Sequence, residues 1–204
     1  MKLFYTKGAC SLAVRIIINE IGIDCAYEAV DLKTKKTADS KDFLAINPKG
    51  AVPALELDSK QIITENLVIQ QYLVDEFKAT NLCPPLGNLK RYTVLSWSNY
   101  VSSEVHKSFA NLFNPLITKE MDEQIFIPMI LKKFKYLNTE LGKHAYLVED
   151  QFTMPDAYLF VMLLWAKNMN LDLGNLTHLK VYFAELVQRA SIKKSLQEEG
   201  IEIK

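Results

Sequence analysis

The feature that most constrains the fold is a change of hydrophobic pattern at Cys83-Pro84-Pro85-Leu86-Gly87. Before this segment, short runs of β-forming residues alternate with stretches of helical spacing, and after it only helical spacing continues. Adjacent prolines and a glycine interrupt both helices and sheets, so the segment is typical of a linker. A chain of 204 residues is long enough for two small domains. We therefore predict an α/β domain at residues 1–78, a linker at 79–88 and an all-helical domain at 89–204.

The pattern before the linker predicts the order β-α-β-α-β-β-α. A βαβ beginning implies a parallel pair of strands, and a closing hairpin adds an antiparallel edge. This is a thioredoxin-like arrangement, in which helices cover a small mixed sheet. Residues 33–40 are polar and are predicted to form a loop. The elements are predicted over residues 2–6, 11–21, 26–32, 43–46, 52–57, 61–64 and 67–77, in that order.

The pattern after the linker predicts four long helices, and Pro128 is expected to kink or delay the second of them. Thr153 and Asp156 have the spacing of a capping box at the start of the third helix, which indicates a structural role for both. The helical patterns cover about residues 89–113, 121–141, 154–169 and 177–190.

Charge and composition exclude several classes of protein. Lys and Arg together number 24, as do Asp and Glu, so the chain lacks the basic excess that is usual in a nucleic-acid binder. The longest uncharged apolar run, residues 157–166, is far shorter than the ~18–20 residues of a membrane span. Scattered cysteines and no secretory signal favour a cytoplasmic protein without a disulfide framework, and no His/Cys spacing suggests a metal site.

Cys10 is the first candidate for chemistry, because it follows the first strand and stands at the start of a helix. The helix dipole and unpaired N–H groups stabilise a thiolate there, so we predict a pKa below the usual value of ~8.5. The alternative for any lone cysteine is a buried structural residue. Ala13 occupies the second cysteine position of a C-x-x-C motif, so a redox cycle needs an external thiol.

Two further places suit a peptide-like ligand. A proline that enters a strand lies at its start or at a sheet edge, so Pro53 is a candidate for a cis bond that presents the Val52 backbone to a ligand. An ordinary trans proline is the alternative. Glu65-Asn66 opens a helix, whose N-terminus attracts a carboxylate while Glu65 attracts an ammonium group. Alternatively, Glu65 only complements the helix dipole.

A polar stripe lies soon after the linker. Asn99, Ser103 and His106 are spaced by four and three residues, which places them on one face of a helix. We predict that this stripe lines the cleft facing Cys10, where His106 orients a water or proton without being the nucleophile. The alternative is a solvated face with a structural histidine, in which case His106→Ala leaves turnover unchanged across about pH 5–8, where histidine titrates.

Several segments recur together, in this order and at these spacings, in one protein family. They are Met1–Tyr5, Gly8–Ala13, Asn47–Gly50 with Val52–Leu55, Glu65, Asn99-Tyr100 with Glu104–Lys107, and Phe152-Thr153 with Asp156–Phe160. Through them the chain resembles the bacterial beta-class glutathione transferases from end to end. The fold of that family is a thioredoxin-like domain joined to a helical domain, as the patterns predict.

The resemblance implies a glutathione site. Cys10 would face the glutathione sulfur and hold it as a mixed disulfide, and the Val52 backbone would pair with the tripeptide. Glu65 and Asn66 would hold the γ-glutamyl end and Lys35 the glycyl end. Position 66 is usually Ser or Gly in the family, but Asn can still donate to a carboxylate, so binding with altered affinity is expected. The residues implied at the dimer-side wall are Asn99, Ser103, Glu104 and His106.

The resemblance also implies a function. A cytosolic homodimer would conjugate glutathione to small hydrophobic electrophiles, exchange thiols with disulfides, or do both. Phe109, Phe113 and Trp165 are expected to line the electrophile pocket, and Tyr5 is either a helper of catalysis or a core aromatic residue. The alternatives are a non-catalytic interaction scaffold of the same fold, and a dedicated disulfide reductase or dehalogenase that consumes glutathione.

Overall fold

The computed structural model describes residues 1–203 and divides into two compact units. The first unit comprises Met1–Pro85 together with the chain from Gln188 onward, and the second comprises Leu86–Val187. The first is an α/β unit and the second is helical, so the predicted fold class, a thioredoxin-like α/β domain followed by a helical domain, is confirmed.

The α/β unit contains a five-stranded sheet in the order β3-β2-β1-β4-β5. Strand β1 pairs parallel with β2 and antiparallel with β4, which gives the predicted thioredoxin-like mixed sheet. The short strand β3 falls inside the predicted loop at 33–40. It forms because Thr37 pairs with Val30 at the sheet edge, although its own sequence is polar. The elements are β1 (Lys2–Tyr5), α1 (Ser11–Ile21), β2 (Ala26–Asp31), β3 (Lys36–Thr37), β4 (Ala54–Glu56), β5 (Ile62–Thr64) and α2 (Asn66–Glu76).

The helical unit begins with α3 (Lys90–Tyr100), which continues through a π-helical segment at Val101–His106 into α4 (Lys107–Phe109). The next helices are α5 (Lys119–Met121), a π-helical segment at Asp122–Phe126, α6 (Ile127–Leu141), α7 (Met154–Asn168) and α8 (Thr177–Gln188). Pro128 lies in the first turn of α6, directly after the second π-helical segment, where the sequence predicts an irregularity. Within residues 1–203, no helix combines the length and apolar character needed to cross a membrane.

The capping box predicted at the start of α7 is present. The Thr153 N–H donates to Asp156 Oδ2 at 2.8 Å. The other carboxylate oxygen, Oδ1, accepts from the Leu147 N–H at 3.0 Å and from the Tyr182 hydroxyl at 2.7 Å. Asp156 is fully buried, so this single carboxylate joins the start of α7 to the preceding loop and to α8.

The last helix, α9 (Ala190–Glu198), packs against α1 of the α/β unit. Asn19 Nδ2 donates to Ser195 Oγ at 2.9 Å, and Arg189 forms an ion pair with Glu20. These contacts group the end of the chain with the first unit, whereas the sequence assigns it to a helical domain at 89–204. The helical pattern read along the chain cannot show which partner α9 covers. The domain limits 1–78, 79–88 and 89–204 otherwise stay a prediction.

Candidate functional site

Cys10 lies where the turn after β1 meets the start of α1, in the strand-turn-helix position that the sequence predicts. It is the N-cap residue of α1. Its side chain is buried, and Sγ donates to the Val52 carbonyl oxygen at 3.4 Å. The thiol therefore faces the segment that precedes β4.

The pKa of Cys10 is raised to about 11, chiefly because burial disfavours the thiolate. The hydrogen bond that the thiol donates to Val52 also favours the neutral form. The Asn66 side chain and backbone groups at the helix start act in the opposite direction but do not compensate. The prediction of a low pKa from the helix dipole is therefore wrong, because the desolvation of this thiol outweighs the dipole.

The segment around Val52 forms the wall opposite Cys10. The Val52–Pro53 peptide bond is cis, the first of the two alternatives that the sequence leaves open. Asn47 Nδ2 donates to the Ala51 carbonyl oxygen at 2.7 Å, which holds this segment against the preceding turn. Lys35, in the turn after β2, donates from Nζ to the Gly50 carbonyl oxygen at 2.8 Å.

Glu65 is the N-cap residue of α2 and has an unusual backbone conformation, with φ 71° and ψ 123°. A positive φ is uncommon in residues other than glycine, and such strain is found most often at functional sites. Lys49 Nζ lies 2.6 Å from Glu65 Oε1, while the Glu65 side chain is 64% exposed. The sequence predicts no role for Lys49, because 15 residues, including the β4–β5 hairpin, separate it from its partner Glu65.

Asn66 is engaged within the protein. Its Nδ2 donates to the Cys10 carbonyl oxygen at 2.6 Å, and its Oδ1 accepts from Gln70 Nε2 at 2.5 Å. Both polar atoms of the side chain thus have protein partners. The Asn66 side chain therefore ties α2 to the backbone of Cys10. Its amide nitrogen carries a second N–H, so the expectation that Asn66 also donates to a ligand carboxylate stays a prediction. In the α/β unit, the structure therefore brings Cys10, Val52, Asn66 and Glu65 together, with Lys35 beside Gly50.

The remaining predicted site residues lie in the helical unit. Asn99 and Ser103 are exposed, and Ser103 Oγ donates to the Asn99 carbonyl oxygen at 2.9 Å. Glu104 forms an ion pair with Lys133. His106 does not share this exposure, because it is partly buried against α7. The π-helical segment that carries Ser103, Glu104 and His106 was not predicted; such segments occur frequently at functional sites.

His106 packs among aromatic side chains. Its Nδ1 lies 2.6 Å from the Tyr158 hydroxyl oxygen, and its ring centroid lies 5.2 Å from that of Trp165. Burial, together with the neighbouring Lys107, lowers the pKa of His106 to about 4. His106 is therefore neutral between pH 5 and pH 8 and does not titrate in the window that the sequence suggests.

The other predicted aromatic residues form two groups. Trp165 contacts Phe113 and Phe109, with ring centroids 4.9 and 5.7 Å apart, so the three proposed pocket residues do cluster in the helical unit. Tyr5 belongs to the α/β unit, where the Arg15 guanidinium carbon lies 4.4 Å from its ring centroid.

We expect His106 to shape the acid side of the stability profile. Its folded pKa of about 4 lies below the ordinary value of 6.5, so the unfolded chain binds more protons between these values. The free energy of unfolding should therefore fall as the pH drops from 6.5 towards 4. Between pH 7 and pH 4, the wild type should lose about 2–3 kcal/mol more than His106→Gln. Urea unfolding at a series of pH values measures the difference, and equal slopes for both proteins would contradict it.

Among residues 1–203, the cysteines and acidic side chains form neither a disulfide nor a group that could hold a metal ion. Cys10, Cys25 and Cys83 form no disulfide, and burial raises the pKa of Cys25 as well. Among residues 1–203, no cluster of three or more His, Cys, Asp or Glu side chains is placed to hold a metal ion.

Comparison with known proteins assigns the family. Residues 1–75 match the glutathione S-transferase N-terminal domain, and residues 100–190 match the glutathione S-transferase C-terminal domain. Glutathione S-transferase GstA of Escherichia coli O157:H7 is 38% identical over 201 residues, which cover 98% of this chain and 100% of that protein.

Two solved structures are similar over nearly the whole chain. The beta-class glutathione S-transferase of Sphingomonas chungbukensis is 37% identical with a TM-score of 0.94, and the match covers 99% of this chain and 100% of that one. A sphingomonad glutathione S-transferase complexed with glutathione is 37% identical with a TM-score of 0.93, at the same coverage. This chain belongs to the glutathione S-transferase family, among relatives of the bacterial beta class.

Proposed function

We propose that this glutathione S-transferase binds glutathione in its α/β unit, with the sulfur beside Cys10, and transfers it to small hydrophobic electrophiles. The observation that carries the proposal is the buried Cys10 thiol held 3.4 Å from the Val52 carbonyl, next to the start of α2. Full-length relatives named as transferases favour an enzyme over a non-catalytic scaffold.

The tripeptide matches the groups around Cys10 in three places. The ammonium of the γ-glutamyl end suits the exposed Glu65 carboxylate, and its carboxylate suits the backbone N–H groups that open α2. The backbone at Val52 is suited to pair with the central residue. Lys35, already turned towards the Gly50 carbonyl, supplies a positive charge for the glycyl carboxylate. Asn66 contributes to this site through its hydrogen bond to the Cys10 carbonyl oxygen.

The raised pKa of Cys10 bears on which reaction dominates. A neutral thiol can donate a hydrogen bond to a glutathione thiolate and so stabilise it, and that thiolate then attacks the electrophilic carbon as the leaving group departs. Exchange is different, because there the Cys10 thiolate attacks a disulfide sulfur and releases the other sulfur as a thiolate. Conjugation thus needs only the neutral Cys10 thiol at neutral pH, whereas thiol-disulfide exchange at Cys10 should grow with pH.

The helical unit contributes the proposed electrophile pocket and a fixed hydrogen-bonding group. The aromatic cluster of Phe109, Phe113 and Trp165 offers an apolar surface, and such surfaces discriminate weakly between electrophiles. His106, neutral and bonded to Tyr158, orients a ligand group instead of titrating. Its variant His106→Gln should turn over more slowly while the Cys10 adduct still forms. Asn99, Ser103 and Glu104 keep the binding role that the resemblance implies.

A homodimer is proposed from an exposed aromatic face on α3 and α6. The rings of Trp97 and Tyr136 stack with centroids 5.9 Å apart, and Met129 and Tyr136 are each about half exposed. Exposed apolar patches of this kind mark protein interfaces, and a second copy of the chain is the occupant that family membership favours. A mass of 23.3 kDa by sedimentation equilibrium at micromolar concentration would contradict the dimer.

A cytoplasmic location is proposed as well. Three cysteines that form no disulfide suit a reducing compartment. Cell fractionation that recovers the protein outside the cytoplasm would overturn this assignment.

Glu65→Ala tests the binding site. Loss of a charged hydrogen bond to the γ-glutamyl ammonium should weaken glutathione binding by about 1–3 kcal/mol, measured by titration calorimetry. Glu56→Ala is the matched control, since Glu56 is also paired with a lysine, Lys60, but lies at the opposite end of the β4–β5 ladder from Glu65. Unchanged affinity in Glu65→Ala with an intact fold would remove Glu65 from the site.

A further inference from the structure

The C-terminal segment places a buried carboxylate against the turn that leads to Cys10. The Gly8 N–H donates to Glu199 Oε2 at 2.8 Å. Arg15 Nε donates to the other oxygen, Oε1, at 3.0 Å. The Glu199 side chain is 0% exposed, so both oxygens are withdrawn from water and held by protein donors.

The Gly8 turn is the part of the chain whose direction decides where Cys10 lies. Gly8 has φ 69° and precedes Cys10 by two residues. On its other side the turn is held by Ser11, whose hydroxyl exchanges hydrogen bonds with the Thr6 backbone at 3.3 Å. The Ala9 N–H also donates to the Thr6 carbonyl oxygen at 3.0 Å. The Glu199 contact adds a bond from outside the turn and sets the plane of the peptide that ends at the Gly8 nitrogen.

Arg15 extends the Glu199 contact into a rigid cross-link. Its guanidinium carbon lies 3.6 Å from the ring centroid of Tyr27 and 4.4 Å from that of Tyr5. It also pairs with Glu198 at 3.3 Å. One buried cation thus connects α1, the end of β1 and the C-terminal segment.

Stability alone is a weak explanation for this network. Burying an ion pair costs desolvation that apolar residues of the same volume avoid, and such replacements are often neutral or stabilising. A directional contact to one peptide N–H provides geometry that an apolar contact does not. This N–H belongs to Gly8, two residues before the reactive thiol, so its orientation affects the position of Cys10.

We propose that Glu199 is a positioning residue for Cys10: it holds the Gly8 turn so that the thiol faces Val52 and the glutathione sulfur. The inference rests on the proposed role of Cys10 in the glutathione site. The C-terminal segment thereby takes part in the reaction, since it holds the turn that positions the thiol.

The experiment compares Glu199→Ala and Glu199→Gln with the control Glu20→Gln. Glu20 also joins α1 to the C-terminal segment, through Arg189 and Ser191, but it lies at the opposite end of α1 from Cys10. Oxidised glutathione is the probe, and mass spectrometry of the Cys10 peptide gives the rate of adduct formation. We expect Glu199→Ala to lower the maximal rate at least tenfold while the concentration for half-maximal rate stays within twofold. Glu20→Gln should match the wild type.

Glu199→Gln keeps an acceptor for Gly8 but cannot accept from both donors, so its rate should fall at least threefold. This variant decides the matter if Glu199→Ala does not fold, and a wild-type rate for it would overturn the proposal. An equal fall in Glu20→Gln would also overturn it, by showing a role in stability alone.

Alkylation of Cys10 by iodoacetamide separates this proposal from the proposed function. Release of the turn should expose the thiol, so alkylation in Glu199→Ala should become at least threefold faster than in Glu20→Gln. A wild-type protein that neither binds glutathione nor forms its adduct would end the proposed function but leave this comparison intact. Equal alkylation rates in the two variants would overturn the positioning role.

Discussion

Cys10→Ser should form no glutathione adduct when incubated with oxidised glutathione, whereas Cys25→Ser and Cys83→Ser should each still gain one. Only Cys10 combines a helix N-terminus with contacts to both Val52 and Asn66. Cys83 is 1% exposed and lies in the linker segment, and Cys25 is bonded to carbonyl oxygens near the N-terminus. Intact mass followed by peptide mapping measures the adduct. An adduct found mainly on Cys25 or Cys83 would contradict the assignment.

The pH dependence of the same reaction gives a second, independent measure. With a pKa of about 11, the thiolate fraction of Cys10 rises throughout the range from pH 7 to pH 9. The rate of adduct formation should therefore increase about tenfold per pH unit, with no plateau below about pH 10. A thiol activated by the helix dipole, as the sequence suggests, would instead react at a rate that is level above neutral pH. Stopped reactions at fixed ionic strength distinguish the two cases.

The fold could be predicted from the sequence in those elements whose buried apolar residues follow the period of a helix or a strand. Helix α1 and strand β1 each bury apolar residues with the period of their own structure, so both were predicted closely. Strand β3 was missed because two polar residues carry no such period and pair only because Val30 is adjacent. The π-helical segment at Val101–His106 was missed because its apolar residues keep almost the same spacing as in an α-helix, although the backbone hydrogen bonds are shifted by one residue.

The site could be predicted in position but not in its electrostatics. The place of Cys10 follows from a local strand-turn-helix pattern, but its pKa depends on burial and on contacts with Val52 and Asn66, which are 42 and 56 residues away. The hydrogen bond from Asn66 to the Cys10 carbonyl was not predicted, because a partner 56 residues away cannot be inferred from the residues around Asn66. Glu199 lies 191 residues from Gly8, so no local signal could have indicated it.

Asp156→Ala should lower the free energy of unfolding of the helical unit by about 3–5 kcal/mol. The carboxylate accepts from two backbone N–H groups and from the hydroxyls of Thr153 and Tyr182, and it is fully buried. Its removal leaves donors at the start of α7 without an acceptor, and each such buried group costs about 1–3 kcal/mol. The individual costs are not additive, because the donors share one acceptor and relax together.

Urea unfolding followed by tryptophan fluorescence suits this measurement, because both tryptophans, Trp97 and Trp165, lie in the helical unit. Asp150→Ala is the matched control: Asp150 also accepts from a backbone N–H, that of Ala145 at 3.0 Å, but in an exposed loop, so its loss should cost less than about 1 kcal/mol. Asp156→Asn should lie between the two, because the amide keeps one acceptor and introduces a donor where two hydroxyls and two N–H groups already converge. Similar losses of stability in Asp156→Ala and Asp150→Ala would contradict this prediction. They would show that the buried Asp156 carboxylate stabilises α7 no more than an exposed hydrogen bond stabilises a loop.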